Sequence, residues 1–320
     1  MKTLKNTLNF VSPALFQKSN IQGLGIGYKL TGGKETGKLA IICMVDNKLP
    51  ESELTASDIV PKEVDGFETD VQETGRFVVE QNPLLRHRPV PGGVSAGHVS
   101  ITAGTNGCAV VREGKTYFLS NNHVYANSNR CKIGDAILQP GVHDGGHSMS
   151  NKVAELFDYI PIVFEEDEIN GGCFLGSLLK KFKGKKKKFE EKINFVDAAI
   201  AKPVSDDIVR NDIFYIGDVA GIGTNIIGMQ VCKSGRTTKY TEGTVQQIFA
   251  TVRVGFGGGK TALFKDQIVT TNMSEGGDSG SLVLDMDKKA VGLLFAGSDK
   301  VTIYNDIYNV LNLLNISSIQ

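Results

Sequence analysis

The stretch Met273-Ser-Glu-Gly-Gly-Asp-Ser-Gly-Ser-Leu-Val-Leu284 organises the rest of the chain. Two glycines, an acid, a serine and a further glycine lead into an apolar run that reads as a strand. A serine hydroxyl becomes a nucleophile only beside a base that takes its proton and donors that meet the developing oxyanion. Gly276, Gly277 and Gly280 let the backbone turn sharply and approach a ligand closely. The N–H groups of Gly277 and Ser279 could then converge on one carbonyl oxygen, with Ser279 as the nucleophile candidate. The same residues are ordinary turn formers, so the stretch alone does not separate a catalytic loop from a plain turn. It is not the strand-to-helix elbow G-x-S-x-G. Ser281 stands where the last glycine would, and a strand follows.

Such a nucleophile predicts a histidine and an aspartate elsewhere. Of His87, His98, His123, His143 and His147, only His123 ends a clean strand signal. Residues 107–111 and 116–120 read as strands around the turn Arg112-Glu-Gly-Lys115, and Asn121-Asn122-His123 follows as the second runs out. The aspartate comes from Phe195-Val-Asp-Ala-Ala-Ile-Ala201, an apolar strand with one carboxylate inside it. An ionised Asp there needs a partner. Asp197 shares its face with Ala199 and Ala201, which leaves room for a ring. Its other reading is a buried acid that ties down backbone N–H groups.

The chain order His123, Asp197, Ser279 is that of the chymotrypsin arrangement. Gly277-Asp-Ser-Gly-Ser281 with Val291-Gly-Leu-Leu-Phe-Ala-Gly297 resembles the active-site and substrate strands of trypsin-like serine peptidases. Ser120-Asn-Asn-His-Val124, Gly134-Asp-Ala-Ile-Leu-Gln-Pro140, Val196-Asp-Ala-Ala-Ile-Ala201 and Lys233-Ser-Gly-Arg-Thr-Thr238 narrow the match. Together they resemble the intracellular, mostly bacterial branch related to the plant narrow-leaf proteins, over most of residues 92–316. The resemblance implies a mainly β fold: two six-stranded antiparallel β-barrels of chymotrypsin type, a small α+β N-terminal domain and a C-terminal helix. The boundaries expected are 1–91 for the small domain, 92–205 for the first barrel and 206–320 for the second with its helix.

The chain has 320 residues, enough for two or three domains. Its 37 glycines suit many short turns. Lys+Arg and Asp+Glu stand at 35 each, so net charge points to neither nucleic acid nor membrane as partner. No apolar run reaches the roughly 18 residues of a membrane helix, and no signal peptide is read at Met1 to Phe10. Cys43, Cys108, Cys131, Cys173 and Cys232 are odd in number and scattered. They imply a reducing cytoplasm, unlike the disulfide-bonded secreted relatives.

In the first 91 residues, Pro13 to Ser19 reads as a short helix, and 23–30 and 38–45 as strands around a Gly-rich turn. The section 58–66 reads as a loop, and 68–73 as a strand packed with the rest into a small domain on the barrels. Gly23, Gly25 and Gly27 fail the dinucleotide pattern, and Gly255 to Thr261 fails the phosphate-loop pattern, so no cofactor is expected. Pro83 to Gly93 reads as a linker, with His87 and His98 exposed. His143 and His147 are four apart among glycines that argue against a helix, so no metal is expected. Glu165 to Glu168 and Lys180 to Lys188 read as a solvated insertion.

What remains concerns substrate and control. In trypsin-like enzymes the pocket base lies six residues before the nucleophile. Here that is Met273, so no strong Lys/Arg preference is expected, and Gly297 keeps the pocket entrance open, which points to an apolar or medium-sized side chain. Asp278 needs a cationic partner, for which Arg236 is the expectation; a regulatory partner protein or ligand that assembles the oxyanion loop is the alternative. The implied substrate is a protein or peptide, and the sequence leaves the oligomeric state open. The competing function is a binding protein that keeps the peptidase fold and no longer cleaves.

Overall fold

A computed structural model describes residues 3–77, 82–165 and 193–320. The chain divides into two compact units, Met1–Gln81 and Asn82–Gln320. Cys173, most of the acidic run and the whole basic run lie outside the described residues.

In the first unit a four-stranded sheet has the order Ile21–Thr31, Lys34–Val45, Phe67–Glu73, Glu63–Val64. Its hairpin turns at Gly32 and Gly33, with φ of 59° and 79°, a pair of left-handed residues that only glycine adopts without strain. The helix is Leu4–Leu15 rather than Pro13 to Ser19. Thr3 caps it through its hydroxyl, which accepts from the Asn6 N–H, and Pro13 falls in its last turn. Leu4, Leu8, Val11 and Leu15 recur at helical spacing and pack on Ile41 and Cys43 of the sheet.

The second unit contains two eight-stranded sheets and a small three-stranded one. The first large sheet runs Ser318–Ile319, Cys108–Arg112, Lys115–Ser120, Ala199–Pro203, Lys152–Tyr159, Ala136–Leu138, Ser95–His98, Gly104–Thr105. The chain is mainly β, as expected. This sheet nevertheless has eight strands rather than six, because the short ladders Gly104–Thr105 and Ser318–Ile319 extend its two ends. The C-terminal strand thus returns to the first sheet, where Ser318 pairs with Val111.

In the second sheet six strands pair in succession. Thr261–Thr271 pairs with Lys239–Gly255, then Gln230–Gly235, Leu282–Asp285, Lys289–Gly297 and Val301–Asp306. Val301–Asp306 pairs back onto Thr261–Thr271. Ile193–Asn194 and Gly221–Ile222 are short additions at its margins.

One core joins the two sheets. Cys108, Val110, Leu119 and Ile200 of the first, with Val196 and Ala198 just before the strand Ala199–Pro203, meet Leu282, Leu284, Ala290 and Leu293 of the second. The helix Ile307–Leu313 closes it with Ile307, Val310 and Leu311, followed by Leu314. Burying a large aliphatic side chain in such a core stabilises by about 1.5–3 kcal/mol. The termini of strands from both sheets are thereby held over one another, which positions the site.

Among the described residues no helix is long and apolar enough to cross a membrane. Cys43, Cys108, Cys131 and Cys232 are free thiols. Burial pushes Cys43 and Cys232 up to about 11, so neither is reactive near neutral pH.

Candidate active site

The polar residues at the end of the strand Lys115–Ser120 are bonded, save for the buried Asn121 Oδ1, which has no partner among the described residues. Ser120 donates its hydroxyl to Thr105 O at 2.7 Å, and the Asn121 amide donates to Asp197 O at 2.7 Å. Asn122 begins the short helix Asn122–Tyr125 and donates to Asn129 Oδ1 and Ile160 O, both at 2.8 Å. These bonds pull the chain out of the strand and into one helical turn, which turns His123 toward Asp197.

His123 and Asp197 are brought together. His123 Nδ1 lies 2.5 Å from Asp197 Oδ2, and the His123 backbone N–H donates to Oδ1 at 3.1 Å. The carboxylate is fully buried and the imidazole side chain is 23% exposed, so the pair opens to solvent only through the ring. Hydrogen bonds to an ionised carboxylate are short and strong, and this one fixes the ring's tautomer and orientation. Asp197 is itself placed from the second sheet: its N–H donates to Asn305 Oδ1 at 3.0 Å, and Asn305 donates to Gln267 Oε1 at 2.7 Å. Phe256, in the turn between Lys239–Gly255 and Thr261–Thr271, presents its ring edgewise to His123 at 6.1 Å.

Ser279 sits in the tight turn before Leu282–Asp285. Its carbonyl accepts the Thr105 N–H at 2.8 Å, and the Thr105 hydroxyl donates to Gly277 O at 2.9 Å. Thr105 belongs to the first sheet, so the serine loop is fastened across to the sheet that carries His123. A Cβ on Gly280 would fall 2.2 Å from both Ser120 Oγ and Thr105 O, which requires glycine there. The Ser279 hydroxyl reaches Phe295 O at 3.5 Å, a long contact. Among the described residues no hydrogen bond links it to His123. Nor do the N–H groups of Gly277 and Ser279 have an acceptor among them, so both stay available to a ligand. Gly277 has φ of 101°, and a Cβ there would strike Thr237 and Arg236.

Asp278 is fully buried and pairs with Lys233, not with Arg236. Lys233 Nζ lies 3.3 Å from Asp278 Oδ2. The carboxylate also accepts the N–H groups of Thr237 at 2.9 Å, Thr238 at 3.2 Å and Glu275 at 3.1 Å, and the Thr238 hydroxyl at 2.6 Å. Burial pushes the Lys233 ammonium below its usual range, and Asp278 beside it works the other way. Arg236 instead holds Asp144, donating from Nε to Oδ2 at 2.7 Å and from Nη2 to Oδ1.

A recess of about 510 Å³ adjoins Ser279. Asn272, Ser274, Glu275, Gly297 and Asp299 line it with Ser279, Leu294 and Ala296. Gly297 is where a pocket wall requires it, since a Cβ would meet Val301 O at 2.9 Å. Met273 does not line the recess. Its side chain is buried with Val231, Val245 and Val283 in the core of the second sheet. His98 is buried rather than exposed, with Nε2 3.0 Å from Asp135 Oδ2. His87 is half-buried with its ring against Phe214. No group of three or more His, Cys, Asp and Glu is placed to hold a metal among the described residues.

Four contributors escaped the sequence reading: Thr105, Asn305, Lys233 and Asp144. Lys233 had a usable signal. It shares strand parity with buried Val231, and alternation sends both to the same side of the sheet. The others lie far along the chain from the residues they hold.

No family model matches the chain, and no curated protein matches it. Solved structures do. Thermobifida fusca protease A is 19% identical, with 72% of this chain and 98% of that chain covered and a TM-score of 0.49. Nocardiopsis protease is 21% identical over 72% and 99%, with a TM-score of 0.47. A glutamic-acid-specific serine protease is 18% identical over 72% and 100%, with a TM-score of 0.49.

Proposed function

We propose that the chain is a serine endopeptidase acting through His123, Asp197 and Ser279. The observation that carries this is the bonded His123–Asp197 pair facing a serine loop that Thr105 ties to the same sheet. His123 Nε2 takes the proton of Ser279 Oγ as the oxygen adds to the substrate carbonyl carbon. The oxygen of that carbonyl becomes an oxyanion, met by the Gly277 and Ser279 N–H groups. The imidazolium, stabilised by Asp197, then gives its proton to the leaving amine as the C–N bond breaks. Water, deprotonated by His123, cleaves the resulting ester. The gap between hydroxyl and imidazole closes on substrate binding, since catalytic hydrogen bonds are often long in unliganded enzymes.

The recess beside Ser279 receives the side chain on the acyl side of the cut. Met273 lies in the core, so it does not set the preference of the recess. Asn272, Ser274, Glu275 and Asp299 give a polar, acidic lining that favours a basic or polar side chain. A peptide library decides this, and sharp cleavage after large apolar residues would refute it. The unpaired thiols support a reducing, cytoplasmic setting.

A fluorophosphonate probe tests the chemistry. It is expected to label the wild type and not Ser279→Ala. The missing His123–Ser279 hydrogen bond favours the second reading, a peptidase fold that binds without cutting. An unlabelled wild type that still retains peptides would establish it.

A further inference from the structure

We infer that the Asp144–Arg236 ion pair is a positioning device that aims the Gly277 N–H at the oxyanion. The inference rests on the peptidase reading above and concerns the peptide between residues 276 and 277. That peptide is planar, so its N–H and its carbonyl point in opposite directions. Whatever holds Gly276 O therefore decides where the Gly277 N–H aims.

Gly276 O accepts the Thr237 hydroxyl at 2.8 Å, and Thr237 Oγ1 accepts Arg236 Nη1 at 3.3 Å. The arginine also lies against Gly277 itself: a Cβ there would be 2.6 Å from Nη1 and 3.2 Å from Cδ. Arg236 cannot drift, because Asp144 grips its fork at two points. The two side chains are only 13% and 5% exposed. Bidentate pairing of this kind fixes geometry as well as charge. Asp144 is in turn held by the Ser95 hydroxyl at 2.5 Å, and Ser95 Oγ accepts the Gly141 N–H at 3.0 Å. A continuous set of contacts thus runs from the strand Ser95–His98 of the first sheet to the 276–277 peptide of the serine loop.

The other oxyanion donor has no such dependence. The Ser279 N–H belongs to the peptide whose carbonyl is Asp278 O. That oxygen accepts the Ser281 N–H at 3.0 Å and the Ser281 hydroxyl at 2.6 Å, both from its own turn. On the Gly276 side nothing among the described residues would lie within 4 Å of an added Cβ. With no side chain to resist rotation, the 276–277 peptide relies on its outside hold.

The test uses the full chain and the variants Asp144→Asn, Thr237→Val and Thr237→Ser, with kcat and KM measured on a peptide substrate. Asp144→Asn is expected to lower kcat about 10²-fold, the scale of losing one oxyanion donor, with KM within about twofold. Thr237→Val, at an exposed position, should lower kcat about tenfold, and Thr237→Ser should restore it. A folded Asp144→Asn with wild-type kcat overturns the inference, as does a loss shared equally by the valine and serine variants. If Asp144→Asn does not fold, the Thr237 pair decides. A wild type that neither labels nor cleaves defeats the peptidase reading instead. The crystal structure of Thr237→Val then decides alone: a rotated 276–277 peptide supports the inference, and an unmoved Gly276 carbonyl overturns it.

Discussion

Asp197 and Asp278 are both fully buried, yet they are buried in opposite ways. Asp197 spends its two oxygens on one residue, the backbone and ring of His123. Asp278 spends its own on three backbone N–H groups, a hydroxyl and a lysine. The first carboxylate has a single partner, a ring that reaches solvent. The second is saturated by donors that hold the turn, and its cation is as buried as it is. One buried acid is given over to a single side chain and its backbone; the other is engaged by backbone N–H groups, a hydroxyl and a lysine.

The largest test of this contrast is Asp197→Asn. The amide would face Nδ1 with a donor and impose the wrong tautomer on His123. Turnover is expected to fall about 10⁴-fold while the variant stays folded, as read by peptide hydrolysis beside a thermal melt. Unfolding of this variant at working temperature would make Asp197 a structural acid like Asp278.

Asp278→Asn should do the reverse and unfold before it merely slows. It leaves Lys233 charged and unpaired in the interior, with a destabilisation of about 3–5 kcal/mol measurable in urea. Lys233→Met removes the cation and leaves Asp278 its four other donors. A smaller loss, about 1–3 kcal/mol, is expected from the same measurement. Equal losses in the two variants would show that the ion pair, not the donor set, holds the turn.

The smallest effect is one of pH. Burial holds Lys233 below its ordinary value of 10.5. Between the lowered folded value and 10.5, the unfolded chain keeps a proton that the folded chain has released. Unfolding then takes up a proton, so this lysine's contribution to stability rises with pH across that window. Wild type should therefore gain on Lys233→Met as pH rises toward 10.5, read as the difference between their urea midpoints. A gain for the methionine variant would reverse the sign assigned to the lysine.

The parts of the fold and of the candidate site that were legible in the sequence are the ones carried by short contiguous signals. Ser279 lies among glycines with a strand behind it, His123 ends a hairpin, and Asp197 is an acid in an apolar run. The mainly β character was implied by the resemblance and suits a glycine-rich chain of short turns, and the final helix follows from the spacing of Ile307, Val310, Leu311 and Leu314. Counting along the chain failed where side-chain direction matters. Met273 has the right offset from Ser279 and turns into the core, and Arg236 sits at the end of the strand whose Lys233 points inward. The third kind of feature has no local mark. Thr105 acts 172 residues from Gly277, and Asp144 acts 92 residues from Arg236.

Thr105 carries a further consequence. Its backbone and hydroxyl clasp the carbonyls of Ser279 and Gly277 from the opposing sheet, so the position of Ser279 depends on both sheets. Under the proposed function, heat that loosens those two bonds is expected to disarm the Ser279 hydroxyl while both sheets stay intact. Loss of the proposed activity should then precede melting, and cooling should restore it without any refolding.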